Sequence, residues 1–525
     1  MKNARLFIYN GLILTAASLI LRTVSVGFNI FITSRVGAAG TGLFQLVMSV
    51  YSPALTLASA GVSLASSRLV AEELGKNRGG RWKDVLVRCL TYSFAASLPV
   101  VVALFTLAPS ISSSWLGTSD ASHLLRILSV GLPFISLSSC INGFFTALRK
   151  AKHTATVQLS EQLFKIILTC VLIYFLSGDG FICLLAVVFS NVCSDIFSMI
   201  LSSYICARES KKLRYSAKKP EESISARIVS ITLPVSISSF LRSSLVALEH
   251  ILIPKGLKKS GMNYLSAMAA YGTLTGMAMP IIMFPASFLY SFSSLVVPEM
   301  AEAKERGENE EICLKIKQIL YAFLVFSVGA AGMIFGYCDH LGKAIYGSSE
   351  VSRFLLLLAP LIPIMYLDNI ADSMLKGIGE QIFTMKVNVI DAASCVLSVL
   401  FLVPKMGIMG YVLVILISEL INFGFSIYRL KKVTGAKPRL LSRLPKPLIC
   451  MLCALIVSRP ITLLFNSPVA SSIFGVTIGA LAYLALLCVS GAIKINLKAF
   501  MDKVIKHRRI PYNEAEKSER SRKVA

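Results

Sequence analysis

Residues 37–76 read GAAGTGLFQLVMSVYSPALTLASAGVSLASSRLVAEELGK. The run is long enough to cross a bilayer as a helix, which takes about 20 apolar residues. Its content of Gly, Ala and Ser lets helix backbones approach closely, so it reads as a helix packed inside a bundle. It leaves the apolar region through Arg68, Glu72, Glu73 and Lys76. The same design returns at 269–306, AAYGTLTGMAMPIIMFPASFLYSFSSLVVPEMAEAKER. Ser66-Ser67-x-x-Val70-x-Glu72 is echoed by Ser293-Ser294-x-x-Val297-x-Glu299, 227 residues further on. A repeat of that size implies two homologous halves, and repeated halves in a polytopic membrane protein mark a transporter.

Composition supports the class. Of 525 residues, 55% are hydrophobic and 15% are charged, against about 25% charged in soluble domains. The apolar residues gather into runs of helix-spanning length rather than the ten-residue alternation of a membrane barrel. The fold class is therefore all-α and polytopic. The formal net charge of +25 lies in short loops between apolar runs, which argues against a nucleic-acid surface. Twelve Cys are scattered through the spans, a reduced or lipid-buried pattern. Cys450-x-x-Cys453 has no second pair and no His, so no metal is expected there.

Fourteen spans are expected, at about 6–33, 41–70, 85–108, 123–147, 155–176, 181–206, 224–253, 264–297, 313–337, 352–375, 384–403, 408–428, 447–465 and 471–492. A stretch at 110–116 with Trp115 is expected at the membrane interface. The organisation is an N-lobe at 1–207, a basic linker at 208–223, a C-lobe at 224–430 and a basic loop at 431–446. Two added helices at 447–492 and a basic tail at 493–525 complete it. Six spans per lobe is an even number, so the lobes are related by a pseudo-twofold along the membrane normal, with the site between them. Lys and Arg concentrate in the loops on the N-terminal side, which places both termini in the cytoplasm. One outer loop, 254–261, departs from this with Lys255, Lys258 and Lys259.

A charge at mid-membrane costs about 2.5–3.5 kcal/mol even on the forgiving insertion scale, so such residues pair, face water or carry function. Arg22 in the first span has no partner nearby in sequence. Arg242 and Glu249 are seven residues apart on one face of the seventh span. Glu161 and Lys165 stand at i, i+4 in the fifth and read either as a local ion pair or as cavity residues. Asp368, Asn369 and Asp372 stud the tenth span, Asp391 the eleventh, and Glu419 and Asn422 the twelfth. Of these, Asp368, Asn369, Asp372, Glu419 and Asn422 are candidate ion or polar cavity positions. By the 227-residue repeat, Glu249 falls where Arg22 stands in the first half, so both are expected to line a central cavity. Gly272-x-x-x-Gly276 is a close-packing motif.

No phosphate-binding loop, zinc-protease or serine-hydrolase motif is present, so no catalytic residue, metal or cofactor is expected. Transport would run on a Na+ or H+ gradient, on membrane potential, or downhill.

The run at 37–73, Gln158-x-x-Glu161-Gln162, LEHILIPKGL at 248–257 and the segment 271–303 resemble one family. It is the stage V sporulation protein B / polysaccharide biosynthesis branch of the multidrug/oligosaccharidyl-lipid/polysaccharide flippase superfamily. The resemblance covers roughly residues 5–495. It implies two six-helix lobes plus two helices, alternating access, and an isoprenoid-linked saccharide as substrate, in this branch a precursor for the spore wall. Cell-wall synthesis proteins are the partners it suggests, beside the bilayer itself. Lipid II flippases of the superfamily carry a first-helix pattern like R-x-x-G-F-x-R. Arg22 matches its first arginine, whereas Phe28 stands at the second. The rival readings are a cation-coupled multidrug exporter and a non-transporting scaffold for wall synthesis.

Overall fold

The computed structural model describes residues 2–75, 81–176, 179–213, 224–307, 309–462 and 467–491. The side chains of 2–19, 22, 151, 291, 294, 295, 298, 461 and 462 lie outside the described set. The described residues fold as helices α1 (Lys2–Ser59), α2 (Val62–Leu74), α3 (Trp82–Ile111), α4 (Ala121–Ala147), α5 (Ala151–Leu176) and α6 (Gly180–Ser210). The second half contains α7 (Ile224–Lys259), α8 (Tyr264–Gly272), α9 (Met279–Glu305), α10 (Asn309–Gly336), α11 (Cys338–Tyr346), α12 (Ser349–Leu358), α13 (Ile362–Gly377), α14 (Gln381–Met406) and α15 (Ile408–Thr434). Three more follow, α16 (Leu440–Arg443), α17 (Pro445–Thr462) and α18 (Pro468–Val489).

Thirteen helical stretches among the described residues are long and apolar enough to cross a membrane. The first, Thr23–Leu74, takes in the end of the first expected span and all of the second, and Gly37 breaks α1 between them with a φ of 77°. Only a residue without Cβ takes that conformation cheaply. The second span breaks again at Gly61, where φ is 79°. In the second half the break takes two forms. A π-helical segment, Thr273–Ala278, joins α8 to α9, and a 3-10 turn, Ala359–Leu361, joins α12 to α13 around Pro360 and Pro363.

Two boundaries differ from expectation. The lysine-bearing outer loop at 254–261 is instead largely helix, since α7 runs to Lys259. Lysines in a last helical turn face the negative end of the helix dipole, so charge there prolongs a helix rather than ending it. The short amphipathic α11 was not anticipated from the apolar runs. The basic linker falls largely, and the basic tail wholly, outside the described residues.

In the first lobe, α4 is the central post, packed against α1, α2, α3 and α6. Its Leu124, Leu125, Leu132, Phe144 and Phe145 are fully buried. Gly143 lets α2 lie against it, because a Cβ there would collide with the Ser63 carbonyl. In the second lobe α13 packs between α9, α10 and α15, and α14 packs on α7.

The lobes meet where α7 and α8 pack on α1, and polar bonds and close contacts join them at both ends of that meeting. At one end the Ser236 hydroxyl donates to the Ala60 carbonyl at 2.5 Å, and Thr56 and Ser243 share a hydrogen bond of 2.7 Å. Thr232 donates to the Tyr92 hydroxyl at 3.0 Å, and Arg227 pairs with Glu72. At the other end, Gly272 seats directly on Ala38 and Gly42, and Gly276 on Thr41. The close-packing motif is therefore the joint between the lobes. Asn29 donates to the Gly276 carbonyl at 2.8 Å, Tyr264 to that of Leu116 at 3.1 Å, and Lys255 to that of Ser114 at 3.0 Å.

Candidate functional site

A charge cluster in each lobe collects most of the charged residues singled out in the sequence, and an apolar groove lies apart from both.

In the first lobe, Glu161 and Lys165 lie one turn apart on α5, half-buried. No direct ion pair joins them among the described residues. The Ser198 hydroxyl of α6 faces Glu161 instead, and the Lys165 ammonium leans over the ring of Phe28 on α1, 5.9 Å from its centroid. The simple i, i+4 bridge is thus replaced by contacts across three helices. Phe28, at the position of the second family arginine, is buried with a cation beside it. Lys165 also feels Asp195 of α6, a residue the sequence reading passed over. Its signal was a lone carboxylate near the middle of an apolar run, FSNVCSDIFSM at 189–199. Two carboxylates and one ammonium therefore share this region.

In the second lobe, Glu249 of α7 faces Asp391 of α14. Ser418 of α15 donates to Asp391 at 2.7 Å. Glu419 of α15 lies within electrostatic range of both Asp391 and Asp368. Ser426 of α15 bridges Asp368 at 3.0 Å and Asp372 at 3.3 Å, both on α13. Lys376, one turn on from Asp372, lies 3.7 Å from it and is half exposed. Five carboxylates thus run through the lobe with one lysine at the end. Asn369 and Asn422 are half-buried on α13 and α15. Beside this chain His250 shares a 2.8 Å hydrogen bond with Tyr271.

Arg242 is exposed on α7, and no partner for it occurs among the described residues. It shares a stripe with Glu249 but the two do not pair. The backbone of Arg22 belongs to α1, and its side chain lies outside the described residues. Cys450 bonds to Ser490 at 3.5 Å while Cys453 is exposed. Among the described residues no group of three His, Cys, Asp or Glu is placed to hold a metal ion.

The groove has a volume of about 990 Å³. Its walls come from α9 (Phe284, Phe288), α10 (Phe326, Ala330) and α18 (Ala480, Leu484), with Val26 of α1 at its edge. The Tyr483 hydroxyl on its wall is turned away, donating to the Val325 carbonyl at 2.8 Å. The groove therefore presents hydrocarbon throughout. Its third wall exists only because of α18, which lies beyond the twofold repeat. Arg22 precedes Val26 by four residues, about one helical turn, along α1.

A family model described as a polysaccharide biosynthesis protein matches residues 7–304, and another, described as MatE, matches residues 264–402. Over 419 residues the chain is 26% identical to stage V sporulation protein B of Bacillus subtilis (strain 168), covering 78% of this chain and 80% of that relative. The solved lipid II flippase MurJ, in an inward closed conformation, superposes with a TM-score of 0.70 at 14% identity, over 91% of this chain and 98% of that one. An inward-facing multidrug resistance MATE family transporter of the MOP superfamily superposes at 0.59 with 15% identity, over 81% and 99% of the two chains. The shared property is a two-lobed bundle of membrane helices.

Proposed function

The chain belongs to the polysaccharide biosynthesis protein family, and from that premise we propose that it flips an isoprenoid-linked saccharide from the cytoplasmic to the outer leaflet by alternating access. The observation that carries this reading is the groove between α9, α10 and α18. It is apolar on every wall and opens at the bundle edge, where lipid would lie. A water-soluble substrate has no use for such a surface, whereas a polyprenyl tail transfers into it with little cost. Helix α18, beyond the repeat, then has a role, which is to build one wall of the tail's berth.

The head group calls for cations and hydroxyls. Arg22, one turn from the groove's edge on α1, is assigned to the diphosphate, with Arg242 and Lys165 as further cations on the facing lobes. A diphosphate bears about two negative charges, and in an inside-negative cell its outward passage gains about 2.3 kcal/mol per charge per 100 mV. That supplies work without ATP. The ring of contacts at each end of the lobe interface serves as the pair of gates. The excess of Lys and Arg in the loops on the N-terminal side supports a cytoplasmic position for both termini. The likeness to stage V sporulation protein B supports a spore-wall precursor as the saccharide, handed between wall-synthesis enzymes on the two faces.

A second reading, a cation-coupled drug exporter, draws on the acid chain from Glu249 to Asp372. Native mass spectrometry of the purified protein with polyprenyl-diphosphate sugars separates the readings. The flippase reading expects retained lipid-linked sugar, lost when Ala330→Trp fills the groove and weakened in Arg22→Ala. Retention of organic cations without lipid-linked sugar would favour the exporter, and retention of neither a scaffold.

A further inference from the structure

One end of the groove opens beside a basic loop that the flippase reading leaves without a role. Tyr321, Val325 and Gly329 of α10 line the groove. Each follows the last by four positions, so they form one ridge of the helix. Lys317 continues that ridge one turn nearer the start of α10. It is half-buried and has no hydrogen bond or ion pair among the described residues. Over the Tyr321 ring lies the guanidinium of Arg443 from α16, 5.3 Å from the centroid. Stacking uses the face of the guanidinium and leaves its fork of N–H donors for an oxyanion. The Cys313 thiol of α10 donates to the Thr434 carbonyl at 2.9 Å, so the loop from α15 to α17 starts against the first turns of α10. The excess of Lys and Arg supports this side as cytoplasmic.

The surroundings leave these two cations without a carboxylate. Positions 420–501 contain no Asp or Glu, while Lys431, Lys432, Lys437, Arg439 and Lys446 join Arg443 in the loop. Of the acids on neighbouring helix ends, Glu299 and Glu311 are both held by Lys315, and Glu380 by Arg429. Glu310 is exposed in the first turn of α10. Leu441 sets the depth, since it is 88% exposed between Arg439 and Arg443. A bare leucine beside arginines suits the headgroup layer, with the apolar chain towards hydrocarbon and the cations in the polar zone. A groove fit for a lipid tail thus opens beside two cations at headgroup depth. We propose that Lys317 and Arg443 form a loading site for the diphosphate of a polyprenyl lipid whose tail lies in the groove, occupied before the head group passes to Arg22. The inference rests on the flippase reading and adds to it a first stop at the cytoplasmic surface. Arg443 offers a planar fork to two phosphate oxygens, and Lys317 a point charge from the groove side. The other loop cations draw the anion to the mouth without fixing its position.

The test is native mass spectrometry of full-length protein in detergent, titrated with polyprenyl diphosphate and, separately, with phosphatidylglycerol. Wild type and Arg22→Ala protein are both expected to retain polyprenyl diphosphate. Arg443→Gln or Lys317→Gln, added to Arg22→Ala, should weaken retention about tenfold, the worth of one charge-assisted hydrogen bond. Arg443→Lys keeps the charge without the fork and should recover part of the loss. In liposome transport each single Gln variant should raise the half-saturating concentration of lipid-linked sugar by a similar factor, as expected of a site that loads the substrate. Unchanged retention in both Gln variants, or no retention by Arg22→Ala protein while the wild type binds, would overturn the inference and leave the flippase reading standing. No retention by the wild type would overturn both. Phosphatidylglycerol retained as tightly, and lost in the same variants, would make an anionic phospholipid the occupant and overturn the assignment. Arg443 is exposed, so Arg443→Gln stands in should Lys317→Gln fail to fold.

Discussion

In the first lobe Glu161 and Asp195 share Lys165 across α5 and α6. In the second, Glu249, Asp391, Glu419, Asp368 and Asp372 run from α7 to α13 with Lys376 alone at the far end. The 227-residue repeat makes the contrast specific. Glu161 corresponds to Asn388, Lys165 to Ala392 and Asp195 to Asn422. Polarity survives the duplication at the two Asn positions and is lost at Ala392, while charge survives at none of the three. One lobe is a nearly balanced cluster with its own counter-ion, and the other is an acid chain that draws any cation that reaches it. Two halves with one topology thus carry different electrostatics.

The largest expected effect breaks the balance itself. Lys165→Met leaves two carboxylates uncompensated and is expected to cost about 3 kcal/mol of unfolding free energy. Lys376→Met, removing a half-exposed lysine 3.7 Å from Asp372, is expected to cost less than about 1 kcal/mol. Detergent-driven unfolding of the two variants side by side decides it, and equal losses would erase the distinction between the lobes.

The next effect concerns where the lobes touch. Gly272→Leu must part backbones already in contact with Ala38 and Gly42 and is expected to cost about 2 kcal/mol by overpacking. Gly424→Leu, with no neighbouring atom within 4 Å, is expected to stay within about 0.5 kcal/mol. Thermal unfolding measures both. The smallest effect lies at the opposite gate. Arg227 and Glu72 are each over a third exposed, so Arg227→Ala is expected to change stability by less than about 1 kcal/mol. It should nonetheless speed maleimide labelling of a cysteine placed at the buried Ser236. Unchanged labelling would mean that this ion pair does not guard the interface.

Much of this was legible in the sequence for a physical reason. Apolar runs of bilayer length have few alternatives to helix, so the spans could be read directly, including the division that Gly37 makes within α1. Gly272-x-x-x-Gly276 announced a close contact, although only the fold shows that the contact joins the lobes. What stayed hidden depends on three dimensions. Asp195 gains its meaning from Lys165 and Glu161 on the neighbouring helix α5. Glu161 and Lys165 read as a pair because sequence shows i, i+4 and not the Phe28 ring that draws the lysine away. The groove was invisible for a similar cause, since its walls are ordinary apolar residues from helices separated by two hundred positions.

The central claim is transbilayer movement of a lipid-linked sugar along the groove. The most direct measurement reconstitutes the protein in liposomes loaded with a polyprenyl-diphosphate saccharide and reads the sugar arriving at the outer leaflet with an impermeant glycosyltransferase. Transport should appear with wild type, rise when the interior is made negative, and fall at least tenfold in Ala330→Trp. Wild-type liposomes indistinguishable from protein-free ones, or full activity with the groove filled, would contradict it.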